Sequence, residues 1–405
     1  MDPLSWWLFL LIIFFAGIFL KIYTLAAIAF MLAIVGGLAR WWQVRALQGL
    51  TYTRRLHFRR GFPGESISFQ AEVENRKILP LPWLRLRDMW PNAIAPQDEL
   101  AFQPTENPDR GMLVNLFSLR WYERARRADH LLLRKRGVYR LGPVFFETGD
   151  IFGLFSQEKS EEQLEFITVF PLPVPVARLK LSAEDPFGDR KAPRRLYEDP
   201  TQPMGVRQYR PEDDFRHLHW PATARIGELQ TRLYQPSAAR VMVVCLNVST
   251  FPNYWEGTYP ELLEYLVGVC ASVVELGLKN GYKVGLVSNG SLAHADQPFR
   301  LPPGRSPQQL ARLLGALAGV TPLVSRSFER FLISEMPRLP YNATLVVVTG
   351  IYTPLLAETL LRIKRHGHRI TVLDFALPPP EPIPGVNLIH LPFMRGGTQA
   401  GPSQG

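Results

Sequence analysis

The residues best able to do chemistry crowd into one stretch, Gln208-Tyr-Arg-Pro-Glu-Asp-Asp-Phe-Arg-His-Leu-His-Trp-Pro-Ala-Thr-Ala-Arg225. In an extended backbone His217 and His219 project to one face, with Asp213 and Asp214 close by. A metal-dependent hydrolase using these four side chains is therefore one chemical reading. The other is structural and stronger. Asp213 and Asp214 can satisfy Arg210, Arg216 and Arg225 in a charge-assisted network, with His219 and Trp220 packed beneath it and Tyr209 at its start. No catalytic residue is assigned. The chain has no Gly-x-Ser-x-Gly elbow and no glycine-rich phosphate loop. Its two cysteines, Cys245 and Cys270, lie in apolar runs where a reduced thiol behaves as a small hydrophobe. His366 and His368 flank Gly367 near an expected helix end, where cationic side chains suit the dipole without any metal.

These residues need elements to position them. Residues 241–246 form a continuous β-rich apolar run, 260–278 repeat apolar residues at helical spacing, and 283–288 read as a strand again. Helices are expected over 307–317, 328–336 and 355–366, and strands over 343–349 and 369–375. This alternation implies an α/β domain with a mostly parallel sheet covered on both faces. Ligands of such sheets gather at the carboxyl ends of the strands, which points to Asn247, Ser249, Ser288, Thr349 and Asp374. From Pro378 the chain is rich in proline, glycine and polar residues, and residues 379–405 read as a flexible tail.

Upstream, residues 51–171 change to short alternating segments such as Ser66-Ile-Ser-Phe-Gln-Ala-Glu-Val-Glu74. Turn signals separate them at Gly61 to Gly64, Asn75, Pro80 to Pro82 and Gly137. The pattern implies half-buried antiparallel strands in an immunoglobulin-like β-sandwich, with an unassigned excursion over 91–127. Arg124, Arg126, Arg127, Arg134, Lys135 and Arg136 read as a solvated basic face. No aromatic platform interleaves with them and no helix-turn-helix or zinc-finger spacing occurs, so no nucleic acid is expected as a partner.

The formal charge of +10 finds another explanation at the amino terminus. Residues 4–20 and 22–39 are two apolar runs, each close to the ~20 residues that cross a hydrocarbon core. Almost no loop joins them, so they form a tight transmembrane helical hairpin with Lys21, Tyr23 and Thr24 near its tip. Arg40, Arg45, Arg54, Arg55, Arg59 and Arg60 follow with no intervening acid, which keeps this flank cytoplasmic and attracts anionic lipid. Trp6, Trp7, Trp41 and Trp42 fall at the two cytoplasmic ends, at headgroup depth. A two-pass protein of the cell membrane with cytoplasmic soluble domains is the expectation.

The long motif adds a resemblance. Tyr209, Arg210, Asp213, Asp214, Arg216, His219, Trp220, Ala224 and Arg225 match a pattern similar to the signature of the domain of unknown function 58 family, with Glu212 where a glycine usually stands. Gly61 to Glu65, Asn75, Pro80 to Trp83, Arg136 to Pro143 and Phe152 to Phe155 resemble the family's upstream module. The resemblance implies a von Willebrand factor A-like domain and a MoxR-type AAA+ ATPase as partner in protein assembly or maturation. It implies no settled activity. A metal-binding domain of that type would offer Asp-x-Ser-x-Ser after its first strand and an aspartate later. This chain has Asn247-Val-Ser-Thr-Phe251, and Thr349-Gly350 in the later loop, so Ser249 and Thr250 lack the carboxylate that magnesium needs. No cofactor is expected, weak Mg2+ binding being the one exception left open.

The whole is an α+β multidomain chain. Residues 1–45 form the hairpin, 46–175 the sandwich, 176–236 a linker carrying the signature, 237–378 the α/β domain and 379–405 the tail. Its function is that of a membrane-anchored scaffold or adaptor, with the metal-dependent hydrolase as the alternative.

Overall fold

The computed structural model describes residues 3–96, 102–149, 156–181, 198–211, 213, 215–236, 240–253, 256–293, 295 and 297–394. It is a mixed α/β chain with several sheets, divided into two compact units, Met1–Pro171 and Leu172–Gly405.

The first unit opens with α1 (Pro3–Phe19) and α2 (Tyr23–Ala46), between which Lys21 adopts a left-handed φ of 56°. The helices touch at Gly17, where a Cβ would lie 2.8 Å from the Ala26 backbone nitrogen. By length and composition α2 can span a membrane, and the apolar stretch Trp6–Phe19 is shorter. Leu8, Phe9, Ile12, Phe15, Phe30 and Met31 are all exposed, a density of bare apolar surface that water-soluble folds avoid.

Eleven strands follow among the described residues: β1 (Leu50–Leu56), β2 (Arg60–Gly61), β3 (Ser66–Asn75), β4 (Leu81–Pro91), β5 (Phe102–Pro104), β6 (Arg110–Leu119), β7 (Arg124–Leu132), β8 (Gly137–Leu141), β9 (Val144–Gly149), β10 (Ser156–Glu161) and β11 (Glu165–Val169). They form three sheets, ordered β1-β3-β7, β10-β9-β4-β6-β5 and β2-β11-β8. The period-two pattern of β3 turns Ile67, Phe69, Ala71 and Val73 inward, as alternation demands. They share one core with Leu84, Leu86, Leu113 and Phe146, and Phe69 packs at a tilt against Trp90, 5.0 Å between ring centroids. The unassigned excursion holds β5, β6 and the start of β7; residues 97–101 lie outside the described set.

Two residues of the expected membrane flank are placed elsewhere. Arg54 is buried and its guanidinium faces Asp88, so it is not available to lipid. Trp42 packs against the strand core alongside Ala46 and Leu47, whereas Trp41 is 48% exposed. The causes differ: the last turn of α2 already belongs to the strand core, while Arg54, on β1, is drawn inward by the Asp88 carboxylate. On the basic face, Arg124 and Arg126 pair with Glu72 and Glu74 across β3 and β7.

The second unit comprises β12 (Glu198–Gln208), α3 (Trp220–Ile226), β13 (Gln230–Pro236), β14 (Val241–Leu246), α4 (Pro260–Lys279), β15 (Lys283–Leu292), β16 (Pro298–Gly304), α5 (Gln309–Gly319), β17 (Val320–Val324), α6 (Phe328–Glu335), β18 (Thr344–Thr349), α7 (Pro354–Arg365), β19 (Arg369–Asp374) and β20 (Asn387–His390). The large sheet runs β16-β15-β14-β18-β19-β20, with β17 also pairing β15. Strands β15, β14, β18, β19 and β20 are parallel, while β16 and β17 run antiparallel to β15. Along β14, Val243 and Cys245 join the core beneath α6 and α7; Met242 meets α4 where Gly277 leaves room. Helices thus cover both faces. Cys245 and Cys270 are buried free thiols, pushed up by burial.

Two boundaries need correction. Part of the expected linker is an antiparallel hairpin of β12 and β13, because the signature between them folds back on itself. Part of the expected flexible tail is β20, which adds a parallel strand beside β19 and lets Leu391 bury. Proline-rich spacing at 378–384 disguised a return to the sheet. Residues 395–405 lie outside the described set.

Candidate functional site

The signature occupies the closed end of the β12–β13 hairpin, where Gln208 faces Gln230. Tyr209 N–H donates to Leu229 O at 2.8 Å and His219 N–H to Gln230 O at 2.8 Å, so the motif leaves and rejoins the ladder as a closed excursion. Within it Asp213 is the hub. Arg207 grips both of its oxygens, Nη1 to Oδ2 at 2.8 Å and Nη2 to Oδ1 at 2.6 Å, and the Arg210 backbone N–H donates to Oδ2 at 2.8 Å. The Arg207 fork, then the Arg210 amide, hold the carboxyl below the usual carboxylate range.

His219 caps α3: its Nδ1 accepts from Ala222 N–H at 3.0 Å, which leaves the ring proton on Nε2. The Thr223 hydroxyl donates to His219 O at 3.1 Å and accepts from Gln230 N–H at 3.0 Å, which stitches the short helix to β13. Gly227 then ends the helix in the left-handed region, at φ 79°.

Among the described residues, Asp213 is held by partners other than the expected ones. Its arginine is Arg207, one residue before the stretch singled out from the sequence, and Arg210 contributes its main chain. Arg225 is exposed. Trp220 is not packed beneath the network but 65% exposed; Phe215 is 68% exposed, and its ring lies 5.3 Å from that of Tyr209. Asp214 and the side chain of Arg216 lie outside the described residues. Both Asp213 oxygens and His219 Nδ1 are engaged locally, and among the described residues no three His, Cys, Asp or Glu side chains gather as a metal site.

The second cluster lies at the carboxyl edge of the sheet, where neighbouring strand ends present Asn289, Asn247, Thr349, Asp374 and His390 in order. Asn247 Nδ2 donates to Thr349 Oγ1 at 3.1 Å, and its Oδ1 accepts from Ser249 N–H at 3.1 Å. Thr349 Oγ1 donates in turn to Ile351 O at 2.7 Å. Thr250 Oγ1 instead accepts from Tyr259 N–H at 2.7 Å, tying the loop to the start of α4. Ser288 Oγ accepts from Gly290 N–H at 3.1 Å. Asp374 is fully buried and meets His390 Nδ1 at 2.7 Å. Burial lifts its carboxyl above the usual range, against the downward pull of His390 and the Ala376 N–H.

Sequence reading missed Asn289. It ended the strand at Ser288, whereas β15 continues to Leu292 and buries the amide completely. Asn289 Oδ1 accepts from Val248 N–H at 3.0 Å, which turns its Nδ2 toward Asn247 Oδ1 at 3.2 Å and Ser249 Oγ at 3.3 Å. A magnesium ion needs hard oxygens carrying negative charge. Here an amide nitrogen points at those oxygens, so these residues do not fit the ion.

A braced hairpin ahead of a parallel-centred α/β sheet defines the class of the second unit: an α/β domain whose sheet edge is lined with amides and hydroxyls. Residues 205–394 match the family model DUF58, described as protein of unknown function DUF58, and the chain carries a domain of that family. The chain is also 23% identical over 348 residues to the "Uncharacterized protein YeaD" of Bacillus subtilis (strain 168), covering 84% of this chain and 78% of that protein.

Solved structures offer fainter likenesses. The CARDB domain of the PF1109 protein from Pyrococcus furiosus is 12% identical, covering 30% of this chain and 91% of that one at a TM-score of 0.20. Spo0M, the sporulation control protein from Bacillus subtilis, is 15% identical over 30% of this chain and 50% of its own, at 0.18. Scores this low carry no argument.

Proposed function

We propose that the chain is a membrane-anchored cytoplasmic adaptor whose signature hairpin docks a protein partner. In this reading α1 and α2 cross the bilayer together, the strands of the first unit form an immunoglobulin-like sandwich, and the second unit is a von Willebrand factor A-like binding domain. The partner is a MoxR-type AAA+ ATPase engaged in assembly or maturation of other proteins. No nucleic-acid partner is part of this reading; on the basic face Arg124 and Arg126 are answered by Glu72 and Glu74.

The observation that carries the docking role is the exposure of Trp220 and Phe215 on a hairpin braced by the Arg207–Asp213 fork and the Thr223 stitch. Large aromatics held in the open on a preorganised support are what interface anchors look like, since little ordering entropy remains to be lost on binding. Location is supported by the length and apolarity of α2 and the arginines that follow it.

The test is co-purification of the full chain, solubilised in detergent, with a co-expressed MoxR-type ATPase under nucleotide. The expected result is retention by the wild type and loss by the Phe215→Ala/Trp220→Ala variant. Purification of the wild type alone, or equal retention by both, would count against the proposal. Protease added outside intact cells should leave residues beyond Arg60 uncut, and their digestion would reverse the orientation.

A further inference from the structure

We infer that Asn289 is a built-in substitute for a divalent cation: its amide N–H group holds together the oxygens that an ion would otherwise gather, so the carboxyl edge of the sheet is closed without metal. The inference concerns the sheet edge and stands whether or not the signature hairpin docks a partner.

The orientation of the amides makes the case. Two backbone donors decide which end of each side chain is oxygen. Val248 N–H, at 3.0 Å, requires an acceptor at Asn289 Oδ1, and Ser249 N–H, at 3.1 Å, requires one at Asn247 Oδ1. Neither amide can be reversed without setting two donors face to face in a buried space, since Asn289 is 0% and Asn247 5% exposed. Asn289 Nδ2 is thereby committed to donate, and it sits 3.2 Å from Asn247 Oδ1 and 3.3 Å from Ser249 Oγ. Asn247 passes the connection on through Nδ2 to Thr349 Oγ1 at 3.1 Å, which links the ends of β15, β14 and β18.

An ion between these groups would tie the same strand ends together by gathering oxygens to one centre. Here Asn289 and Asn247 make the connection in relay, the first amide donating to Asn247 Oδ1 and Ser249 Oγ and the second to Thr349 Oγ1, with partial charges alone and no carboxylate among them to neutralise. The edge is therefore set in one conformation whatever the divalent ion concentration, and it reaches that conformation on folding.

The test uses the full chain in detergent, with inorganic Mn2+ as probe, read by thermal unfolding and by electron paramagnetic resonance of bound Mn2+. Three forms are compared: wild type, Asn289→Asp and Asn247→Asp. Asn289→Asp retains the acceptor for Val248 N–H but puts an anionic oxygen where the donor was, against two other oxygens. It should lose stability in chelator, bind one Mn2+ per chain and recover with a Tm rise on the order of 5 °C at saturating ion. Asn247→Asp keeps Oδ1 facing Asn289 Nδ2, and the Thr349 hydroxyl can turn from Ile351 O to its new oxygen, exchanging one hydrogen bond for another; it should be the milder change in chelator. Wild type should show neither Mn2+ binding nor a Tm change. A wild-type Tm raised by Mn2+, an Asn289→Asp form equally stable in chelator, or one indifferent to the ion would each overturn the inference. If Asn289→Asp fails to accumulate, the wild-type titration and the order of the two variants' yields decide: an Asn247→Asp form that also fails contradicts the assignment of donor and acceptor.

Discussion

Arg54 and Asp88 meet as a two-pronged ion pair, Nε to Oδ2 and Nη2 to Oδ1 both at 2.7 Å, with neither side chain exposed. Tyr52 adds its hydroxyl to Asp88 Oδ2 at 2.9 Å, and Gln163 closes the circuit by accepting from Arg54 Nη1 at 2.7 Å and donating to Tyr52 O at 3.0 Å. Burial, then the adjacent Asp88, pushes the Tyr52 phenol well up, so it remains a donor across the working pH range. The pair joins β1 to β4 and fixes how two sheets share one core.

Removing one partner leaves a buried charge unanswered. Asp88→Ala or Arg54→Met should each lower stability by about 3–5 kcal/mol, and the Arg54→Met/Asp88→Leu double variant should recover most of it. Urea unfolding of the detergent-solubilised chain checks this. Single variants within about 0.5 kcal/mol of wild type would show the pair to be dispensable.

Lys77 gives a pH signature. Burial pushes its ammonium down to about 8, and its buried Nζ has no hydrogen-bond partner among the described residues. The folded chain thus binds this proton less tightly than the unfolded one, whose lysine titrates near 10.4. Its contribution is a constant penalty below about pH 8, relieved as pH rises toward the unfolded value. Lys77→Met should therefore raise the unfolding temperature at neutral pH, with the advantage shrinking between about pH 8 and about pH 10. A constant difference across that range would contradict the assignment.

Two glycines separate steric from conformational demand. Gly142, at φ 88°, would drive a Cβ into the Gln163 carbonyl oxygen, whereas Gly227, at φ 79°, has nothing within 4 Å. Gly142→Ala should be destabilising by more than about 2 kcal/mol and Gly227→Ala by about 1 kcal/mol, the second reflecting backbone strain alone. Equal losses in chemical denaturation would mean that the collision at Gly142 is relieved elsewhere.

How much of this was legible in the sequence follows from what each feature depends on. The central strands of the large sheet and helices α4 to α7 carry periodicities that their own residues set, and they stand close to where those patterns place them. Strands β16, β17 and β20 owe their existence to a neighbouring edge, and proline-rich runs hid two of them. The same division holds at the sites. Asp213 stands among the acids that the sequence marks for a charge network, yet its partner Arg207 lies outside the motif, and only the folded hairpin brings the two together. Trp220 looked like core by type and proved to be surface, because a seven-residue helix with no buried residue has no core to offer it. Asn289 was invisible because its meaning depends on which backbone N–H it faces.

The most direct test of the adaptor reading is photo-crosslinking from position 220 in intact cells, with a photoreactive aromatic residue replacing Trp220 in the full chain and the same residue at Tyr341, which is 77% exposed, as the control. The account predicts a crosslink to a cytoplasmic MoxR-type ATPase from position 220 and none above background from position 341. Equal labelling of that ATPase from both positions, or none from position 220, would contradict it.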